Sequence, residues 1–203
     1  MFTGNSYRAK RALDVSVLFI THAALAPLVL LVWIVVPLAI FLQDGGPVLY
    51  RQRRVGWKGR PFVAIKFRTM VRDADQVGNP WTRINDPRIT RFGRILRKTA
   101  LDELPQVINI ARGEMSLVGP RALEFREHSM LAANIHGFDR RQAALPGLTG
   151  LAQICDRSDD AHEKLRYDLI YVEGMNVLLD VRILLLSVLN TLTGKWDRRE
   201  GKH

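Results

Sequence analysis

At 203 residues the chain is long enough for one globular domain with a core of its own and at most a small appendage. Its 30 lysines and arginines against 20 aspartates and glutamates leave a formal charge of +10, which favours anionic partners: lipid head groups, nucleotide phosphates or nucleic acid. The single cysteine, Cys155, excludes an intramolecular disulfide, and nothing points to an oxidising compartment.

The first element is apolar. From Val15 to Leu42 no Asp, Glu, Lys or Arg occurs, and such a run belongs in hydrocarbon. A cleaved signal peptide fits poorly, because the small residues Ala24-Leu25-Ala26 are followed by a further uncharged stretch as apolar as the one before. A straight spanning helix is the stronger alternative. Two features oppose it. Pro27 interrupts the segment near its middle, and basic residues flank both ends: Arg8, Lys10 and Arg11 before, Arg51, Arg53, Arg54, Lys58 and Arg60 after. Proline bends a helix, and the positive-inside tendency would keep both clusters on the cytoplasmic side. A re-entrant helix-break-helix satisfies both, with arms of roughly 21 Å that fall short of the roughly 30 Å hydrocarbon core. Residues 1–44 are therefore expected to form a membrane anchor and 45–203 a cytoplasmic catalytic domain.

Asp44-Gly45-Gly46-Pro47 closes the anchor with turn residues. Val48 to Tyr50 and Phe62 to Phe67, separated by a turn region from Gly56 to Pro61, are expected to pair as a hairpin. Asp73 to Asp86 reads as a surface loop, after which Asp86-Pro87 starts a helix running toward Lys98. Arg88, Arg91, Arg94 and Arg97 recur there every three residues as a cationic stripe, which in most proteins is a solvated face. Val177 to Leu192 carries Asp180 and Arg182. It is expected to be an amphipathic helix packed on the domain or lying on the membrane surface. The fold class expected is α+β, predominantly helical, with a short hairpin and amphipathic surface helices.

Thr99-Ala100-Leu101-Asp102-Glu103-Leu104-Pro105 is the most informative local stretch. It reads first as a helix start, with Thr99 or Asp102 as cap and Pro105 in the first turn. Asp102 and Glu103 project about 100° apart on a helix, so they divide labour rather than share a proton. Gly119-Pro120 forces a turn that presents Arg121 as a planar fork suited to a phosphate or diphosphate. There is no zinc-type cluster of Cys and His, no G-x-x-x-x-G-K-[ST] and no G-x-G-x-x-G.

In order, Lys10-Arg11-Ala12-Leu13-Asp14, the bent apolar segment, Ile65-Lys66-Phe67-Arg68-Thr69-Met70, Leu101 to Gln106, Met115 to Arg121 and Pro146 to Gln153 resemble the bacterial sugar transferases, the monotopic phosphoglycosyl transferases, in their minimal form. The resemblance implies transfer of a sugar 1-phosphate from a UDP-sugar donor to a polyprenyl (undecaprenyl) phosphate acceptor with Mg²⁺ and release of UMP, at the cytoplasmic face of the bacterial inner membrane. It implies a covalent intermediate on Asp102, assistance by Glu103 and a metal close to Asp102. Lys66, Arg97, Arg121, Arg157 and Asp168 match further substrate-binding positions. Two departures stand out: Ala122 follows Gly119-Pro120-Arg121 where the family usually has proline, and Ala26 precedes Pro27 where it commonly has serine. The competing reading is a non-catalytic basic adaptor that holds anionic membrane lipids. Nucleic-acid binding has only net charge behind it and is not expected.

Overall fold

The computed structural model describes residues 4–74, 86–156, 158 and 160–193. The chain is predominantly helical and carries two small two-stranded sheets. It divides into two compact units, one made of Met1–Phe19, Gln52–Ala64 and Val107–His203, the other of Ile20–Arg51 and Ile65–Gln106.

The apolar N-terminal segment forms α1 (Gly4–Ala24) and α2 (Ala26–Asp44), separated at Leu25. Pro27 stands in the first turn of α2, where its missing N–H leaves the preceding turn one bond short. The interruption is local, since Leu25 N still donates to Thr21 O and Val29 N to Leu25 O. α2 is the one helix among the described residues long and apolar enough to cross a membrane, with a mean hydropathy of 2.4. Only Val36 and Ile40 of α2 are buried. Leu28, Leu31, Ile34, Leu38 and Leu42 all face outward, a surface that water does not tolerate well.

In the unit that holds α2, Val36 and Ile40 pack with Phe67 and Leu96, and Trp33 meets the Phe67 ring edge-on at 5.4 Å. Strands β1 (Leu49–Val55) and β2 (Pro61–Phe67) form the expected hairpin, longer in its first strand than the apolar pattern implied. Arg51, Arg53 and Arg54 belong to that strand, so charge hid its length. Arg68 NH groups donate to the carbonyls of Asp44 and Gly45, which fastens the end of α2 beside the exit of β2.

The helix expected from Asp86 begins later, as α3 (Arg91–Lys98). Thr90 is its cap: the Thr90 hydroxyl accepts from Gly93 N at 2.9 Å. Asp86 instead folds back on Arg88, accepting from its backbone and its guanidinium. Gly93 is required by contact, because a Cβ there would lie 2.0 Å from Thr69 O. Thr99 ends α3 rather than starting the next helix; its hydroxyl lies within hydrogen-bond reach of Ile95 O and Leu96 O. Leu101–Gln106 is a 3-10 turn, and the regular helix α4 (Val107–Ala111) follows it.

The other unit is built around a parallel pair that composition did not reveal. β3 (Ser116–Val118) pairs with β4 (Gly147–Thr149) in the register Ser116 with Gly147 and Val118 with Thr149. Both segments are three residues long and lie beside Gly-Pro or Pro-Gly, so they read as turns. A Cβ on Gly147 would fall 2.1 Å from Gly119 N, and one on Gly119 would fall 2.1 Å from Leu145 O. These glycines let the two segments approach. Around them lie α5 (Phe125–Asn134), α6 (Leu151–Cys155), α7 (Ala161–Gly174) and α8 (Val177–Leu192). Asp160 caps α7 and Asn176 caps α8.

The first part of α1 is sewn into this unit. Val17 and Leu18 pack against a core that includes Phe62, Ile110, Met115, Val118, Tyr171 and Ile183. Lys10, fully buried, meets Asp180 at 2.7 Å and the Tyr171 hydroxyl at 2.8 Å. Arg11 donates to the carbonyls of Ile110 and Ala111, capping the C-terminus of α4. Asp14 accepts from the Ser116 hydroxyl at 2.9 Å and from Leu117 N at 3.0 Å. α8 turns Asp180 and Ile183 inward, while Leu178, Leu185, Val188 and Leu189 remain exposed, as expected of an amphipathic surface helix.

Candidate active site

Four of the residues singled out by sequence lie in the α2-containing unit. Asp102 sits in the 3-10 turn directly after the tight connection at Ala100, whose φ of 55° reverses the chain between α3 and the turn. Its carboxyl is buried. That burial raises its pKa above the ordinary carboxylate range; Lys66 and Arg97 oppose the rise and the neighbouring Glu103 adds to it. A carboxylate held in this environment is poorly hydrated, which leaves it less masked as a nucleophile, and the two nearby cations suit the approach of an anionic phosphoryl group.

Glu103 faces β2. Its carboxylate is 2.5 Å from the ammonium of Lys66, and both side chains are largely shielded. Lys66 thus serves both carboxyl groups: it pairs with Glu103 directly and is the first charge that opposes the rise on Asp102. Arg97, on the last turn of α3, donates through its Nε to the Thr69 hydroxyl at 2.8 Å. Burial pushes the Arg97 pKa down, against the attraction of Asp102 and of Asp86. A guanidinium stays charged under such pressure. Arg91 and Arg94 remain exposed on the outer face of α3, as does Lys98, so the stripe divides: Arg97 turns inward, Arg88 is shielded against Asp86, and the middle two are solvated.

Thr69 and Asp86 are not among the site residues expected from the sequence, although Thr69 belongs to the Ile65–Met70 motif and Asp86 to the expected helix start. Thr69 supplies the hydroxyl that orients Arg97 and the carbonyl that accepts from Thr90 N, and Asp86 is a buried carboxylate held by Arg88. Thr69 stands three residues beyond Lys66 on the same exit from β2. That spacing, inside the Ile65–Met70 motif, is the signal the sequence holds for it.

The remaining predicted residues belong to the other unit. Arg121 follows the bend at Gly119-Pro120, forms an isolated bridge with Gly147, and has an exposed side chain. Asp168, on α7, is buried and bound by Arg141: Arg141 Nε donates at 2.8 Å and Nη2 lies at 2.6 Å from the same carboxylate oxygen. Burial raises the Asp168 pKa and the guanidinium opposes it. Arg141 also donates to Arg121 O at 2.9 Å. Arg157 lies outside the described residues.

Among the described residues no three His, Cys, Asp or Glu side chains gather into a metal cage. Mg²⁺ does not need one, since it commonly takes one or two carboxylates together with substrate phosphates. The hard oxygens of Asp102 fit that requirement.

The family model described as Bacterial sugar transferase matches residues 5–194. A UDP-glucose:undecaprenyl-phosphate glucose-1-phosphate transferase of Caulobacter vibrioides is 39% identical over 190 residues, covering 91% of this chain and 70% of that protein. The exopolysaccharide production protein PSS of Rhizobium leguminosarum bv. phaseoli is 40% identical over 194 residues, covering 91% of this chain and 95% of its own length. A UDP-N-acetylgalactosamine-undecaprenyl-phosphate N-acetylgalactosaminephosphotransferase of Aeromonas hydrophila is 33% identical over 189 residues, 91% of this chain and 44% of that protein.

Proposed function

The chain belongs to the bacterial sugar transferase family, and on that premise we propose that it transfers a sugar 1-phosphate from a UDP-sugar to undecaprenyl phosphate with release of UMP, as a first membrane step of surface polysaccharide assembly. The observation that carries this reading is the buried Asp102 carboxylate set among Lys66, Arg97 and Glu103. Asp102 attacks the phosphorus that bears the sugar, an Asp102–phosphorus bond forms, and the bond to the bridging oxygen breaks so that UMP departs. An oxygen of the lipid phosphate then attacks the same phosphorus, and the Asp102 carboxylate leaves. Lys66 and Arg97 offset the charge that accumulates on the phosphoryl oxygens. Glu103, held by Lys66, serves as the proton-handling or electrostatic partner. Arg121 binds the donor phosphates, and Arg157 keeps the substrate-binding role that the resemblance implies, toward the diphosphate, the nucleotide or the lipid phosphate. Asp102, with the donor diphosphate, would hold a Mg²⁺ ion, which supplies charge neutralisation when bound.

The same reading places the protein at the cytoplasmic face of the inner membrane on a re-entrant segment. Its support is internal to one unit. Lys10, Arg11 and Asp14 bond to Asp180, to the end of α4 and to β3, so the start of α1 travels with the globular chain that follows residue 107. A single crossing by α2 would carry those partners to opposite sides of the bilayer. Impermeant thiol labelling in intact cells of cysteines placed at Ser6 and Gly59, in a Cys155→Ser background, should find both protected. Labelling at residue 6 alone would end this topology.

The direct test of the chemistry is incubation with UDP-sugar and Mg²⁺ in the absence of lipid acceptor, followed by intact-mass measurement and peptide mapping. Wild type should gain one sugar-phosphate mass on the peptide that contains Asp102, and Asp102→Asn none. An adduct elsewhere, or turnover by Asp102→Asn near the wild-type rate, would remove Asp102 from the role.

A further inference from the structure

We propose that Arg141 is a positioning residue for Arg121 and that Asp168 acts through Arg141 rather than on substrate. This rests on the reading of Arg121 as a ligand of the donor phosphates.

Arg121 needs an exposed side chain, and its aim is set by the backbone it rises from. That backbone is held on every side. Gly119 N donates to Thr149 O and Gly147 N donates to Pro120 O, which ties the approach to β4. The next three carbonyls each have a dedicated donor: Arg121 O takes Arg141 Nη2 at 2.9 Å, Ala122 O takes Arg54 Nη1 at 2.8 Å, and Leu123 O takes Val55 N at 2.9 Å. Two of those donors are guanidinium groups, a strong way to hold a neutral carbonyl. Where the ring of a proline would have limited φ at residue 122, a run of bonds to successive carbonyls restrains the segment instead.

Arg141 is built for this double task. Its Nη2 serves both the Asp168 carboxylate and Arg121 O, its Nε takes the same carboxylate, and its guanidinium carbon lies 5.3 Å from the centre of the buried Phe138 ring. Asp168 fixes the charge, Phe138 fixes the plane, and the second N–H of Nη2 is left pointing at the Arg121 carbonyl. A lysine could neutralise Asp168 or reach Arg121 O, but a single ammonium at the end of a flexible stem cannot reproduce the plane that does both. Asp168, buried and committed to Arg141, has its oxygen engaged within the protein.

The test compares full-length wild type, Arg141→Lys, Arg121→Lys and the double variant in detergent, by UMP-release kinetics over a UDP-sugar series and by hydrogen exchange of peptides covering 119–124. Displacement of a ligand by about 1 Å can cost up to about 100-fold. Arg141→Lys should raise donor KM about tenfold, leave acceptor KM unchanged and speed exchange in 119–124, while adding little to the effect of Arg121→Lys in the double variant. A merely structural role would lower the melting temperature without moving donor KM of the folded fraction. That result, or additive effects in the double variant, overturns the proposal. Should Arg141→Lys fail to fold, Asp168→Asn is read the same way, since it keeps the side-chain shape and releases the guanidinium from its charge partner. Should wild type release UMP from no UDP-sugar, the transfer reading itself fails, and exchange decides alone: faster exchange supports the clamp and unchanged exchange overturns it.

Discussion

Replacing Lys10 by methionine removes one member of a buried charged knot and tests how the N-terminal helix is tied to the chain's C-terminal half. The Lys10 ammonium lies 2.7 Å from Asp180 and 2.8 Å from the Tyr171 hydroxyl, with the side chains of Lys10 and Asp180 only 5% and 2% exposed. Tyr171 in turn donates to Asp180 at 2.8 Å. Burial and that carboxylate hold the Tyr171 hydroxyl far above its ordinary pKa, so it stays a neutral donor. Methionine fills much of the lysine stem's volume, which limits the cavity contribution. What remains is Asp180 with one hydroxyl donor and no counter-charge, and Asp14 loses the same cation. Breaking a buried pair from one side costs about 3–5 kcal/mol. For a chain of this size each kcal/mol moves the melting temperature by about 2–4 °C, so Lys10→Met should melt roughly 6–20 °C below wild type.

The assay is thermal unfolding in one detergent, followed by tryptophan fluorescence, for wild type, Lys10→Met, Asp180→Leu and the double variant. The double variant should recover most of the loss, because removing both charges also removes the desolvation each one suffers. A Lys10→Met protein that melts within about 2 °C of wild type, or a double variant as unstable as the worse single one, would refute the buried-pair reasoning.

Three further outcomes follow from the active-site geometry. Glu103→Gln should keep the fold and reduce turnover by roughly 10²–10⁴-fold, the range for a general acid or base, measured as UMP release. Gly93→Ala drives a methyl toward Thr69 O at a separation of 2.0 Å, so it should destabilise by about 1–3 kcal/mol and depress turnover through the Thr69 partner of Arg97, read by melting and kinetics together. Removal of divalent cations by EDTA should abolish UMP release and leave the melting temperature nearly unchanged, with activity restored by Mg²⁺; stable activity in EDTA would remove the metal from the reading.

Features whose signal is local were legible in the sequence. The apolar run, the break at Pro27, the hairpin, the amphipathic α8 and the Asp102-Glu103 pair all announce themselves within a few residues. Helix boundaries were less so: Asp86-Pro87 and Thr99 both resemble caps, and only the approach of Thr90 to Gly93 and of Thr99 to Ile95 shows which helix end each serves. The parallel pairing of β3 with β4 was hidden because three-residue strands beside glycine and proline carry no usable period.

What the sequence concealed most completely is the use of charge. Lys10 and Asp180 are 170 positions apart, Asp14 and Ser116 are 102 apart, and Arg141 lies 27 before Asp168. Taken alone in a basic chain, Lys10 reads as a topological signal and Asp168 as a substrate-binding position, and neither reading names its partner. Burial changes the meaning of both, because an ion removed from water must have a partner in a defined place and so reports a defined contact. In the sequence the basic residues before the apolar segment indicate a preference for one side of a bilayer. In the folded chain Lys10 and Arg11 become bonds to α8 and α4, which ties the first turns of α1 to the unit that contains those helices and is the support for the proposed re-entrant topology. Net charge says nothing of this division of labour. The placement of individual charges does, for it commits Lys10 and Arg141 to the interior and leaves Arg91, Arg94 and Lys98 on the outer face of α3.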